Sequence, residues 1–248
     1  MFFMAYGEFA KIYDELINQD INYKDISKRI LEIAKANNIN MEDYLDLACG
    51  TGNVGAELFD KFKNIYMVDL SEDMLSEAQN KFLDKKKPCR VVCQDMTELN
   101  LMHEFDLITC VLDSTNYILE DEGIESYFKG VREHLKDEGI FIFDINSYYK
   151  LKEILGNNTY VYNEEDIFYS WENYFEDNIV SMFLSFFIKK GKLYERFDEE
   201  HEERAYKQEE IENLLKISGF KIINKYNGYS SEDVTDKSER IVYVTKKI

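Results

Sequence analysis

Asp46-Leu47-Ala48-Cys49-Gly50-Thr51-Gly52-Asn53-Val54-Gly55 is the stretch on which the fold turns. It follows a short apolar strand, Tyr44 to Leu47, and opens a helix running to about Phe62. Glycines in such a strand-to-helix turn let a ligand lie against bare backbone and present free amides to its polar groups. The next strand, Ile65 to Val68, ends on Asp69, seventeen residues after Gly52, and Ser71 opens another helix. An acid at that place can accept both hydrogen bonds of a ribose diol. Working outward, strands follow at Arg90 to Cys93, Phe105 to Leu112 and Ile140 to Ile145, the last two separated by a helix around Ile124 to Leu135. Upstream, Ile26, Ile30, Ile33 and Ala34 share one face of a helix over Tyr23 to Lys35, behind the capping residue Asn22. Alternating strands and helices of this kind predict an α/β fold with a doubly wound sheet.

After Asn146 the rhythm changes. Tyr160 to Tyr206 is rich in aromatic and β-branched residues, with turn signals at Asp177-Asn178 and Lys190-Gly191, which predicts antiparallel strands. Val180, Met182, Leu184, Phe186 and Ile188 alternate with Ser181, Phe183, Ser185 and Phe187, so both faces carry apolar side chains and at least one needs a cover. Helix Gln208 to Lys216, stopped by Gly219, and strands Phe220 to Tyr226 and Arg240 to Thr245 complete a seven-stranded sheet. The expected organisation is one domain over 1–148 and 205–248, with an antiparallel β cap, 149–204, inserted after the fifth strand.

The chain carries 49 acidic against 30 basic residues, a net charge of −19, which repels nucleic acid and anionic membranes alike. Met1 to Ala5 lacks the basic flank of a signal peptide, so a cytoplasmic location is expected. Cys49, Cys89, Cys93 and Cys110 show no zinc spacing, and Cys89 and Cys93 on one strand would stand about 13 Å apart at roughly 3.3 Å per residue. With His103, His134 and His201 scattered, no metal is expected.

Either an adenosyl or a nicotinamide cofactor satisfies the glycine turn and Asp69. Asp46, just before the glycines, suits the amine and sulfonium of S-adenosylmethionine better than a pyrophosphate. Asp95 after the third strand can meet an adenine amino group while Met96 packs on the ring. The set Asp46 to Gly52, Val68-Asp69-Leu70-Ser71, Gln94-Asp95-Met96 and Leu135-Lys136-Asp137-Glu138-Gly139 resembles the class I methyltransferases. That resemblance implies a sheet whose last strand is antiparallel and S-adenosyl-L-methionine as cofactor. It implies that Asp69 binds the ribose, Asp95 the adenine, Gly50 and Gly52 the methionine portion, and that Asp46 orients that portion. The same pattern lines the site with Ala48, Cys49, Thr51, Leu70, Gln94, Met96 and Leu112. Tyr6-Gly7-Glu8-Phe9-Ala10-Lys11-Ile12-Tyr13-Asp14 is similar to the lid helix of members that methylate amines on small metabolites, which adds Tyr6 and Tyr13. A β cap after the fifth strand is similar to the branch holding glycine N-methyltransferase and the aminosugar dimethyltransferases.

On the acceptor side, Asp113, Asn116 and Tyr117 follow the fourth strand and Asn146 and Tyr148 the fifth, at the strand ends where α/β sheets bind ligands. Leu112 to Tyr117 lacks the Asn/Asp-Pro-Pro-Tyr motif used on adenine, cytosine or glutamine amides. The expected function is therefore methyl transfer to N or O of a small molecule, mainly by placement. A nicotinamide-dependent oxidoreductase and a cofactor-binding protein without turnover are the alternatives.

Overall fold

The computed structural model describes residues 21–83, 89–163 and 166–248. Seven strands form the larger sheet: β1 (Asp43–Leu47), β2 (Asn64–Asp69), β3 (Cys89–Cys93), β4 (Phe105–Cys110), β5 (Leu135–Asn146), β10 (Phe220–Asn227) and β11 (Arg240–Lys247). Their order is β10-β11-β5-β4-β1-β2-β3, and only the last strand, β11, runs antiparallel to its neighbours. From β1 the chain winds outward through β2 and β3, then returns to β4 on the other side. The switch between β1 and β4 leaves a crevice at their carboxyl ends, where doubly wound sheets take their ligands.

Both faces of this sheet are covered. Helices α1 (Tyr23–Ala36), α2 (Asn53–Leu58) and α3 (Glu72–Asn80) share one core with Tyr44, Met67, Leu107 and Ile142. Helices α4 (Asp121–His134) and α5 (Gln208–Ile217) share the other with Leu45, Val68, Ile108 and Phe143. Both faces of β1 and β4 are buried, and the polar residues they carry there, Asp43, Asp46, Asp106 and Thr109, are all hydrogen-bonded within the protein. Asn22 caps α1 as expected, its side chain accepting from the Asp25 amide.

The boundaries of β4 and β5 differ from the sequence reading, and α2 gives way after Leu58 to a 3-10 turn, Phe59–Lys61, instead of continuing to Phe62. β4 stops at Cys110, because Leu112 and Asp113 adopt left-handed backbone (φ 59° and 58°) and cannot continue a strand. β5 begins at Leu135, where the sequence reading ends the preceding helix and starts the strand only at Ile140, because Leu135 already pairs with Phe105.

The second sheet has the order β6-β7-β8-β9, all antiparallel: β6 (Thr159–Asn163), β7 (Ile167–Glu176), β8 (Ile179–Lys190) and β9 (Leu193–Arg204). Asp177 and Asn178, both at positive φ, make the two-residue turn between β7 and β8. Val180, Met182 and Phe186 occupy the covered face of β8, the first two packed on Leu151 and Leu155 of a π-helical turn, Lys150–Leu155. On the opposite face Phe183 stays 41% exposed beside Tyr174. Register puts Trp171, Leu184 and Glu199 in one row of the covered face, Asn173, Met182 and His201 in the next, and Phe175, Val180 and Glu203 in the third. Among the described residues no helix is long and apolar enough to cross a membrane.

Candidate active site

The glycine turn closes on itself through the Gly52 amide, which donates to the Cys49 carbonyl (2.9 Å). Gly52 is required twice over: its φ is 75°, and a Cβ there would lie 3.1 Å from both Met67 Sδ and Ala78 Cβ. Gly50 differs, since it is also left-handed (φ 54°) but has open space where a side chain would stand. Asp46 is fully buried beneath the turn. It accepts from the Gly55 amide (2.9 Å) and Thr109 Oγ1 (3.1 Å), and the Tyr44 hydroxyl bonds Thr109 in turn (2.7 Å). Burial pushes its carboxyl up to about 7 against those hydrogen bonds. Both oxygens are thus engaged within the protein, bracing α2 against β4. Burial likewise raises the Cys49 thiol, and Thr51 is buried under the Asn53 amide (3.2 Å). Ala48, at φ 54°, begins the turn.

Asp69 ends β2 half-buried. One carboxylate oxygen accepts from the Gly50 amide (2.7 Å) and the other from Ser71 (2.9 Å), tying the strand end to the turn, while burial raises its pKa. Leu70 beside it is 62% exposed at the mouth of the crevice. Past β3, the Gln94 amide donates to the Asp69 carbonyl (2.9 Å), aligning the two strand ends. Asp95 takes the Thr97 amide and hydroxyl on one oxygen (both 2.8 Å), and Met96 packs against the core. Acids therefore stand at the ends of three successive strands along one crevice.

The acceptor-side residues fare differently from one another. Asn116 is completely buried: its amide donates to the Asn146 (3.1 Å) and Arg204 (2.9 Å) carbonyls, and its oxygen accepts from the Asn146 amide (2.9 Å). It clamps β5 to β9 and has no polar atom left for a ligand, which corrects the expectation of direct acceptor contact. The Tyr148 hydroxyl donates to Asn178 at the β7–β8 turn (3.1 Å), and the Lys152 and Lys207 ammonium groups lie over its ring. Asp113 is ion-paired with Arg240 (2.5 Å). Tyr117 meets His201 of β9, hydroxyl to Nδ1 at 3.5 Å. Tyr6 and Tyr13 lie outside the described residues.

Sequence reasoning missed Asp144, Arg240, Tyr229, Glu199 and Glu203. Glu203 is buried in β9, accepts from Asn146 Nδ2 (2.8 Å), and is pushed up to about 8 by desolvation and by nearby Asp113. Glu199, also buried, is pushed up to about 7 by desolvation. A charge isolated among apolar residues, as in Phe143-Asp144-Ile145, was the available signal for Asp144.

The left-handed Gly50 with open space above it, the acid pair Asp69 and Asp95 along the crevice, and exposed Leu70 suit an adenosyl cofactor whose methionine end meets the turn. Residues 45–139 match the family described as a methyltransferase domain. A crystal structure of an S-adenosylmethionine-dependent methyltransferase from Clostridium acetobutylicum ATCC 824 is 54% identical, covering 98% of each chain at a TM-score of 0.92. YqeM of Bacillus subtilis (strain 168), named as a methyltransferase, is 35% identical over 98% of each chain. A dTDP-3-amino-3,6-dideoxy-alpha-D-glucopyranose N,N-dimethyltransferase of Streptomyces fradiae is 26% identical over 56% of this chain and 53% of its own. With that sheet order, that crevice and these relatives, the chain belongs to the class I S-adenosylmethionine-dependent methyltransferases.

Proposed function

We propose that the protein methylates a nitrogen of a small amine held between the switch-point crevice and the covered face of the second sheet, with residues 149–204 acting as the acceptor cap. The observation that carries the nitrogen reading is β9, whose buried face presents Glu199, His201 and Glu203 in succession. A carboxylate withdrawn from water is costly unless a cation joins it. Glu199 has no hydrogen bond or ion pair among the described residues, so a protonated amine gains more there than a neutral hydroxyl. The Streptomyces relative named as an aminosugar N,N-dimethyltransferase supports the same acceptor class.

S-adenosylmethionine supplies an activated methyl on a sulfonium whose thioether leaves without protonation. The chain's own part is to hold and orient: Asp69 on the ribose, Asp95 on the adenine, the Gly50 backbone on the methionine portion, and Tyr117 with His201 beside the acceptor. Burial lowers the His201 pKa, so its imidazole is neutral at neutral pH and can take the proton that an ammonium sheds before attack. Placement in attack geometry supplies roughly 7–11 kcal/mol. One positioned base adds about 10² to 10⁴ in rate, so His201 assists and placement dominates. The test is transfer of tritiated methyl from S-adenosylmethionine to matched small amines, alcohols and carboxylates. Labelling of amines alone, reduced about tenfold by Glu199→Gln, is expected, a loss of about 1.4 kcal/mol. Equal labelling of the alcohols would contradict it.

A further inference from the structure

Leu112 and Asp113 are two consecutive residues with side chains in left-handed backbone, at the β4 edge of the switch-point crevice. Such a conformation is disfavoured for both and persists only where the surroundings enforce it. The enforcement is visible. Asp144, fully buried on β5, turns its carboxylate to the turn: Oδ2 accepts from the Leu112 amide and Oδ1 from the Asp113 amide, both at 2.8 Å. Two successive amides converging on one anion form a nest, here filled by a protein carboxylate. The same carboxylate receives the Tyr229 hydroxyl and the Arg240 guanidinium, and Arg240 also pairs with the Asp113 side chain at 2.5 Å. Arg240 is brought there by the β11–β5 register, opposite Asn146, and Tyr229 by the β10–β11 connection, where the Gly228 amide donates to the Arg240 carbonyl (2.8 Å).

We infer that Asp144, locked by Arg240 and Tyr229, is the positioning residue of the active site: it holds the strained Leu112–Asp113 turn that walls the cofactor crevice at β4. Asp113 is then an anchor for Arg240 rather than a base. The inference rests on the crevice being the cofactor site. It follows that the β10–β11 connection, distant in sequence from every cofactor motif, acts on cofactor affinity through Asp144 and through the Arg240–Asp113 pair.

The test uses Asp144→Asn, which keeps the shape but removes the charge that two amides and a guanidinium share. The control is Asp106→Asn, at the opposite end of the same sheet. There an equally buried carboxylate accepts from the Asp43 amide (2.9 Å) and pairs with Lys136 (2.8 Å), with no part in the crevice. Calorimetry with S-adenosylhomocysteine should show about tenfold weaker binding for Asp144→Asn. Hydrogen exchange at the Leu112 and Asp113 amides should be at least tenfold faster than in the wild type. Asp106→Asn should lower the melting temperature comparably and leave both readings unchanged. Tyr229→Phe, which keeps every charge, should move both readings in the same direction by about threefold, and it carries the test if Asp144→Asn does not fold. Wild-type affinity in a folded Asp144→Asn or Tyr229→Phe protein, or equal weakening in Asp106→Asn, would overturn the inference. Absence of S-adenosylhomocysteine binding to the wild type would instead strike at the cofactor site, and the amide exchange would still decide whether Asp144 locks the turn.

Discussion

Asp69→Ala should weaken S-adenosylhomocysteine binding far more than Asp95→Ala, and the structure sets the size of the difference. As an ionised carboxylate at the end of β2, Asp69 can accept from both ribose hydroxyls while each oxygen keeps its backbone amide, Gly50 or Ser71. Hydrogen bonds to charged groups contribute about 1.5–3 kcal/mol each. Asp69 is only half-buried, so the lower bound applies, and two bonds give about 3 kcal/mol, roughly a 150-fold loss. Asp95 has already committed one oxygen to Thr97 and offers a single bond to an adenine amino group, about 1.5 kcal/mol or roughly tenfold. Part of the Asp69 loss arises from release of the Gly50 amide, which hydrogen exchange in the free protein isolates. Isothermal titration at one fixed salt concentration measures both variants. Equal losses, or a greater loss for Asp95→Ala, would refute the reasoning.

Asn116→Ala should cost about 2–4 kcal/mol of stability in urea unfolding, because it strands the buried Asn146 amide and Arg204 carbonyl. A cost under about 1 kcal/mol would mean that water takes over the clamp. The free protein should melt higher at pH 5.5 than at pH 8. Asp46, Glu199 and Glu203 are raised to about 7, 7 and 8, so each binds its proton more tightly folded than unfolded. Their contribution is full below the unfolded carboxylate range and is lost as pH rises through the folded values. Glu203→Gln should flatten that slope in melts recorded across the range, and an unchanged slope would assign it to other groups.

The fold was legible because its signals are local or periodic. The Gly50 to Gly55 turn announces a strand followed by a helix, and Asp177-Asn178 announces a hairpin. Asp46, Asp69 and Asp95 were legible for the same reason, since each stands within two residues of the end of a recognisable strand. The boundary of β4 was not, because Val111 to Asp113 has a strand-like beginning and only Asp144, across the sheet, turns it into left-handed backbone.

The acceptor side resisted reading because its roles are assigned by register between distant segments. Asp113, Asn116 and Tyr117 lie within five residues of one another, yet one pairs with Arg240, one clamps Asn146 to Arg204, and one meets His201. Each partner is set by a strand pairing, β5 with β11 or β8 with β9, that no property of Leu112 to Tyr117 encodes. A buried side chain must satisfy its polar atoms wherever the fold provides partners. Three polar residues at one strand end are therefore as apt to be consumed in holding the crevice together as to reach into it. Asn116 is bonded on both side-chain atoms and Asp113 is paired with Arg240, while Tyr117 meets His201, the pair that the proposed function places beside the acceptor and that mutation should probe first.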